Sequence, residues 1–276
     1  MRKLGLFIGS ILMLLAVSGC IQTPSTPPTP EIAVVTTDSS TTTTPTSFTT
    51  VPPIPSTTVV ASTVSSTIPH VTGITPNFVD KIDNPYFPLK PGTKMIYSEV
   101  TEDGKGVIET YVTNQTKEIL NVTCTVVRDT VKFNGKIEED TLDWYAQDNE
   151  GNVWYFGEDS KEYKNGRVVS TKGSWEAGVD GAKQGIIMRV NPMVGDTYQQ
   201  EYYKGEAEDY AKVVKVGETV TTPYGSFSNC LVTEEWTPLE PGKVTLKYYA
   251  PGIGVVRENM TLGGFEQVEL LNITMQ

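Results

Sequence analysis

From about Asn77 onward the chain is written in short runs that alternate apolar and polar side chains with the period of two that a β-strand requires. The clearest is Thr141-Leu142-Asp143-Trp144-Tyr145-Ala146, in which Leu142, Trp144 and Ala146 share one face and Thr141, Asp143 and Tyr145 the other. Thr245-Leu246-Lys247-Tyr248-Tyr249-Ala250 repeats the arrangement, setting Leu246, Tyr248 and Ala250 against Thr245, Lys247 and Tyr249. In both runs the first set predicts the core face and the second a polar, aromatic surface. Asn134-Gly135, Asn165-Gly166 and Gly263-Gly264 supply the positive backbone angles that tight hairpins need. Helical periodicity is scarce. Residues 77–82 have room for a turn or two of helix, and Gly178, Gly181 and Gly185 make residues 174–185 an irregular crossover.

The two runs belong to a longer recurrence. Pro88, Gly92-Thr93, Tyr97, Cys124, residues 141–146, Gly151 and Val153 are answered by Pro192, Gly195, Thr197-Tyr198, Cys230, residues 245–250, Gly254 and Val255. The spacing from glycine to cysteine is 32 and 35 residues, and from cysteine to alanine 22 and 20. Such agreement predicts an internal duplication, over about residues 84–173 and 188–276 of a β domain covering 76–276. The expected fold is therefore all-β and mainly antiparallel: two units of about five strands forming a strongly curved sheet or half-barrel of about ten, a number at which open sheets curl or split.

The N-terminal residues follow different rules. Arg2 and Lys3 precede an uncharged stretch, Leu4 to Val17, that is too short to span a bilayer comfortably and ends on small residues. Val17-Ser18-Gly19-Cys20 has the spacing of a lipoprotein signal cleaved between Gly19 and Cys20, so residues 1–19 read as signal peptide and Cys20 as the lipidated residue. Of the fifty residues from Ile21 to His70, thirty-three are Ser, Thr or Pro, a composition that cannot bury a core. Residues 20–75 are thus expected to form a disordered stalk, reaching between about 40 Å as a coil and roughly 150 Å if stiffened.

These residues resemble known families. The lipobox resemblance, carried by Val17-Ser18-Gly19-Cys20, implies a thioether-linked diacylglycerol on Cys20 and a palmitate-type acyl chain on its amino group. Because each buried methylene contributes about 0.8 kcal/mol, two or three chains hold a protein on a membrane that one would leave. Tyr249-Ala-Pro-Gly-Ile-Gly-Val255 and Asn84-Pro-Tyr-Phe-Pro-Leu89 ahead of Gly92-Thr93 are similar to a family of uncharacterised extracytoplasmic prokaryotic lipoproteins. More loosely, a lipidated curved half-barrel resembles carrier folds of the LolA and LppX type, which implies a concave face that takes an apolar ligand.

Charge and residue usage narrow the chemistry. The chain has 22 basic and 33 acidic residues, so loss of Arg2 and Lys3 with the signal leaves a net charge of −13. That sign argues against nucleic acid and against a basic membrane-binding patch. The sole histidine, His70, lies in the stalk, so a nucleophile–histidine arrangement has no base in the domain, and zinc lacks a ligand set. Asp148 to Asn152 resembles a calcium loop only superficially and reads as a solvated turn, so no metal or cofactor is expected. Cys124 and Cys230 are a candidate disulfide: a meander would place them about 24 Å apart, whereas a closed barrel or sandwich would bring them together. Asn114, Asn121, Asn259 and Asn272 are each followed by Thr two residues later and are candidate glycosylation sites. Trp144, Trp154, Tyr155, Phe156, Tyr248 and Tyr249 are candidate ligand-lining rings.

The functional expectation is a membrane-anchored, extracytoplasmic and non-enzymatic binding domain for an apolar or amphipathic ligand or an envelope component. Its alternatives are a surface-display lipoprotein without a ligand and a carboxylate-dependent hydrolase of envelope glycans.

Overall fold

The computed structural model describes residues 77–276. The signal segment, Gly19, Cys20, the Ser/Thr/Pro-rich stretch and His70 lie outside the described residues.

Among the described residues every regular element is a strand. The first half contains β1 (Phe78–Val79), β2 (Thr93–Thr101), β3 (Gly104–Ile119), β4 (Val122–Phe133), β5 (Lys136–Asp148), β6 (Val153–Lys164), β7 (Arg167–Ser170) and β8 (Trp175–Glu176). The second contains β9 (Lys183–Met188), β10 (Thr197–Gln199), β11 (Glu201–Tyr202), β12 (Tyr210–Thr222), β13 (Gly225–Trp236), β14 (Val244–Ala250), β15 (Gly254–Leu262) and β16 (Glu266–Met275). They form one sheet in the order β10-β12-β13-β14-β15-β16-β2-β3-β4-β5-β6-β9-β11, with β1 added to β5 and β7 and β8 to β6.

The two ends of this order are one stretch of chain. Residues 197–199 pair with β12, while Glu201 and Tyr202 pair with β9, so the segment is hydrogen-bonded to both edges and the sheet is nearly closed into a barrel. Gly185 of β9 permits the closure, because a Cβ there would collide with the backbone carbonyl of Gln200. Closure hides the unpaired edges that an open sheet of this length would expose.

The expected all-β, strongly curved sheet is thus the observed fold, with sixteen strands rather than about ten among the described residues. Short strands account for part of the excess, and β16 for the rest by joining β15 to β2. The runs read as copies adopt the same succession: β2 to β6 form one antiparallel meander, and β10, β12, β13, β14 and β15 form another. Matching details recur. Gly92 N donates to Val112 O at 2.8 Å and Gly195 N to Val213 O at 2.9 Å, while bulges fall between Trp144 and Tyr145 and between Tyr248 and Tyr249.

Two local expectations are corrected. Residues 77–82 form no helical turn; Phe78 and Val79 pair with β5, and the Phe78 ring packs edge-on against Phe156 at 5.4 Å. The face assignment holds for Trp144, Ala146 and Ala250, which are buried, and is corrected for the other positions. Thr141, Asp143 and Tyr145, like Lys247 and Tyr249, are buried inside the barrel, whereas Leu142, Leu246 and Tyr248 are only half-buried on its outer face. A nearly closed barrel covers whatever points inward, so inward polar groups survive by pairing with one another rather than with water.

Candidate functional site: an acidic barrel interior and an outer groove

The interior owes its character to inward positions of strands far apart in sequence. On the β13–β15 side Lys247 sits between two carboxylates, 3.2 Å from Glu235 and 3.9 Å from Glu258, with all three side chains at most 8% exposed. Glu235 Oε1 also accepts the Tyr249 hydroxyl at 2.9 Å and that of Thr233 at 2.7 Å. Burial by itself lowers the Lys247 ammonium, but Glu235 and Glu258 outweigh it and hold the group above its ordinary range. Burial pushes Glu258 well up despite Lys247, and the pull of neighbouring carboxylates adds to it.

On the β4–β6 side the position that corresponds to Lys247 is an aspartate, Asp143. Asp143 of β5 lies opposite Glu158 of β6, and the Tyr155 hydroxyl is 2.6 Å from Asp143 Oδ1 and 3.1 Å from Glu158 Oε2. Beside them the Thr110 hydroxyl donates to Asp129 at 2.9 Å, and Thr141 donates to Glu139 at 3.1 Å. The Tyr145 and Tyr155 rings stack at 4.7 Å over this cluster. Burial raises Asp143 to about 7, against the hydrogen bond from Tyr155, and pushes Asp129 well above the usual carboxylate range. At the closure, burial and the Asp209 charge push Glu201 up, and burial lifts Asp209 to about 7. Among the described residues neither polar atom of the Gln200 side chain has a hydrogen-bond partner, although the residue is fully buried.

The second feature lies outside, on β3 to β6. The bulge between Val112 and Thr116 turns Asn114 and Gln115 outward, and with Tyr111, Thr113, Arg128, Asp140, Leu142 and Lys161 they line a groove of about 500 Å³. Its centre is rigid. The Arg128 guanidinium donates from Nε at 2.7 Å and from Nη2 at 2.8 Å to the two oxygens of Asp140, the planar fork that fixes both side chains. Thr113 is anchored by donating to Val126 O at 2.7 Å, and Lys161 by pairing with Asp159 at 2.6 Å.

The structure scatters the predicted rings. Tyr155 and Tyr249 line the interior, whereas Trp144, also buried, packs under the Lys117 ammonium, 3.4 Å from its ring centre. Trp154 donates its indole N–H to Asp148 at 2.8 Å, Phe156 is buried against Phe78, and Tyr248 is half-buried on the outer face. They do not form one surface. Cys124 and Cys230 are buried free thiols, a correction to the candidate disulfide: closure joins the two ends of the sheet, but β4 and β13 remain six steps apart in its order. Asn114, Asn121 and Asn272 are exposed, and Asn259 is half-buried on β15. Among the described residues no cluster of His, Cys, Asp or Glu has metal-binding geometry.

Comparison with known proteins places few neighbours beside this chain. No family model matches it, and no curated protein does. A protein of Bacteroides fragilis, provisionally assigned as exported and as having a YmcC-like fold, is 22% identical with a TM-score of 0.42, over 69% of this chain and 99% of its own. A protein of Parabacteroides distasonis, provisionally assigned as a lipoprotein, is 14% identical with a TM-score of 0.40, over 69% of this chain and 99% of its own.

Proposed function

We propose that this chain is an extracytoplasmic lipoprotein, anchored through Cys20 and held off the membrane by its Ser/Thr/Pro-rich stalk, whose β domain is a non-enzymatic binding module for a hydroxyl-rich envelope component of glycan type. The observation that carries the reading is the outer groove, where the paired Arg128 and Asp140 and the exposed amides of Asn114 and Gln115 stand beside the Tyr111 ring and Leu142. A sugar presents that combination in reverse, with hydroxyls on its rim and apolar C–H faces.

The interior supports an apolar ligand poorly. A hydrocarbon chain placed there would leave the carboxylates around Asp143 and Glu258 without partners, which costs several kcal/mol. The hydrolase alternative also loses support. Paired carboxylates for glycoside hydrolysis stand about 5 to 9.5 Å apart across a cleft, whereas Asp143 and Glu158 are sealed inside and Asp140 in the groove is committed to Arg128.

Calorimetric titration of the detergent-solubilised full-length protein with oligosaccharides released from its native cell envelope tests the reading. Tyr111→Ala and Arg128→Ala should each weaken binding about tenfold, the equivalent of roughly 1.4 kcal/mol. Absence of binding by the wild type would leave the display function, without a ligand, as the better account.

A further inference from the structure

We propose that Asn114 is an N-glycosylation site and that the sugar it carries lies in the outer groove, so that the modified domain fills its own binding site.

The backbone separates the four sequons. Asn259 is half-buried on β15, with Leu246 of β14 on one side and Gln267 of β16 on the other. Asn272 sits in the β16–β2 ladder opposite Ile96. Asn121 is held at φ 61° in the turn after β3, and the hydroxyl of its sequon threonine, Thr123, donates to Glu118 at 2.5 Å. Asn114 differs from all three. The bulge between Val112 and Thr116 takes residues 113–115 out of the β3–β4 ladder, and Asn114, Gln115 and Thr116 are all exposed. Thr113 supports the bulge, its hydroxyl accepting the Gln115 N–H at 3.0 Å and donating to Val126 O at 2.7 Å, with Asn114 between them. An enzyme that glycosylates a sequon must reach the asparagine amide and the threonine hydroxyl together. A bulge presents both without breaking ladder hydrogen bonds.

The second substrate is an oligosaccharide carried on a lipid phosphate. Asn114 Nδ2 bonds to the anomeric carbon, the bond from that carbon to the phosphate oxygen breaks, the phosphate keeps the electron pair, and the amide proton passes to solvent. Asn114 lines the groove with Tyr111, Arg128, Asp140 and Leu142, so a sugar joined to its Nδ2 starts at the groove wall. A ligand tethered this closely acts at an effective concentration in the millimolar range. Where free oligosaccharide binds at about 0.1 mM, the tethered sugar would hold roughly nine grooves in ten and weaken the apparent binding of free sugar about tenfold. This occupancy rests on the glycan reading of the groove; the modification itself does not.

Mass spectrometry of glycopeptides from the full-length protein, purified from its native cells, reads the modification. The peptide containing Asn114 should carry sugar. Its absence there, whatever the state of the other three sequons, overturns the proposal. Calorimetric titration with oligosaccharides released from the native envelope reads the occupancy, comparing that protein with the same full-length chain made in a host without N-glycosylation. The native form should bind about tenfold more weakly. Thr116→Ala removes the sequon and keeps every residue lining the groove, so this variant, made in the native cells, should bind as tightly as the unmodified chain. Equal affinity of the native and unmodified forms overturns the occupancy. Binding by neither form overturns the occupancy together with the glycan reading of the groove, while the sugar on Asn114 is decided by mass spectrometry alone.

Discussion

Replacing Lys247 by methionine conserves side-chain length and removes the ammonium that serves two buried carboxylates at once. Glu235 and Glu258, at most 8% exposed, would face each other across an apolar thioether, with Glu235 keeping its Tyr249 and Thr233 donors. Breaking a buried pair by removing one partner costs about 3–5 kcal/mol, because the partner left behind stays desolvated. At about 2–4 °C per kcal/mol for a domain of this size, the melting temperature should fall by roughly 6–20 °C. The dependence on pH gives a second, independent check. Lys247 is held above its ordinary range, so its contribution is complete below the unfolded value of about 10.4 and is lost only at higher pH; at pH 8 the wild type has all of it. Glu258 is already pushed up, and without Lys247 it rises further, so at about pH 4 the variant can protonate it and recover part of the loss. Urea unfolding followed by tryptophan fluorescence at both pH values measures this, and Lys247→Met/Glu258→Gln should restore some stability at pH 8. A Lys247→Met protein within about 1 kcal/mol of the wild type at pH 8, with no dependence on pH, would refute the reasoning.

Two further outcomes follow from packing. Gly185→Ala places a methyl group against the Gln200 carbonyl and should cost about 1–3 kcal/mol, loosening the closure locally. Amide exchange should therefore accelerate in β9 and β11 while β3 and β4 keep their protection; uniform protection would contradict the role given to Gly185. Cys124 and Cys230 are free and buried, and burial raises the Cys124 thiol to about 12. Without reductant, Ellman's reagent at pH 8 should leave both untouched in the native protein and titrate two thiols after denaturation, whereas no thiols in the denatured state would mean a disulfide.

Strands and turns were legible because they are local. Asn134-Gly135 and Asn165-Gly166 both adopt the positive angles their residue types predict. The turn at Leu120-Asn121 was not legible, since leucine at φ 52° carries no turn chemistry in sequence. Period-two alternation tells which side chains share a face but not which face is inside. Asp143 and Lys247 read as surface residues because their partners, Glu158 for one and Glu235 and Glu258 for the other, come from neighbouring strands whose register no local pattern fixes. The groove was hidden for the same reason: its residues come from four strands, and of them only Asn114 and Leu142 stand out in the sequence, one for its sequon and the other for its place in a period-two run.

The dependence of wild-type stability on pH tests most directly the claim that this barrel is built around protonated carboxylates. Asp143 and Asp209 titrate near 7 when folded against 3.8 as the ordinary value, so between those limits the folded state keeps protons that the unfolded chain has released. Each such proton lowers stability by about 1.4 kcal/mol per pH unit as pH rises. Urea unfolding of the full-length protein from pH 5 to pH 8 should therefore show stability falling with pH up to about 7 and levelling above it. Stability that rises over that range, as in proteins whose buried carboxylates fold ionised, would contradict the account.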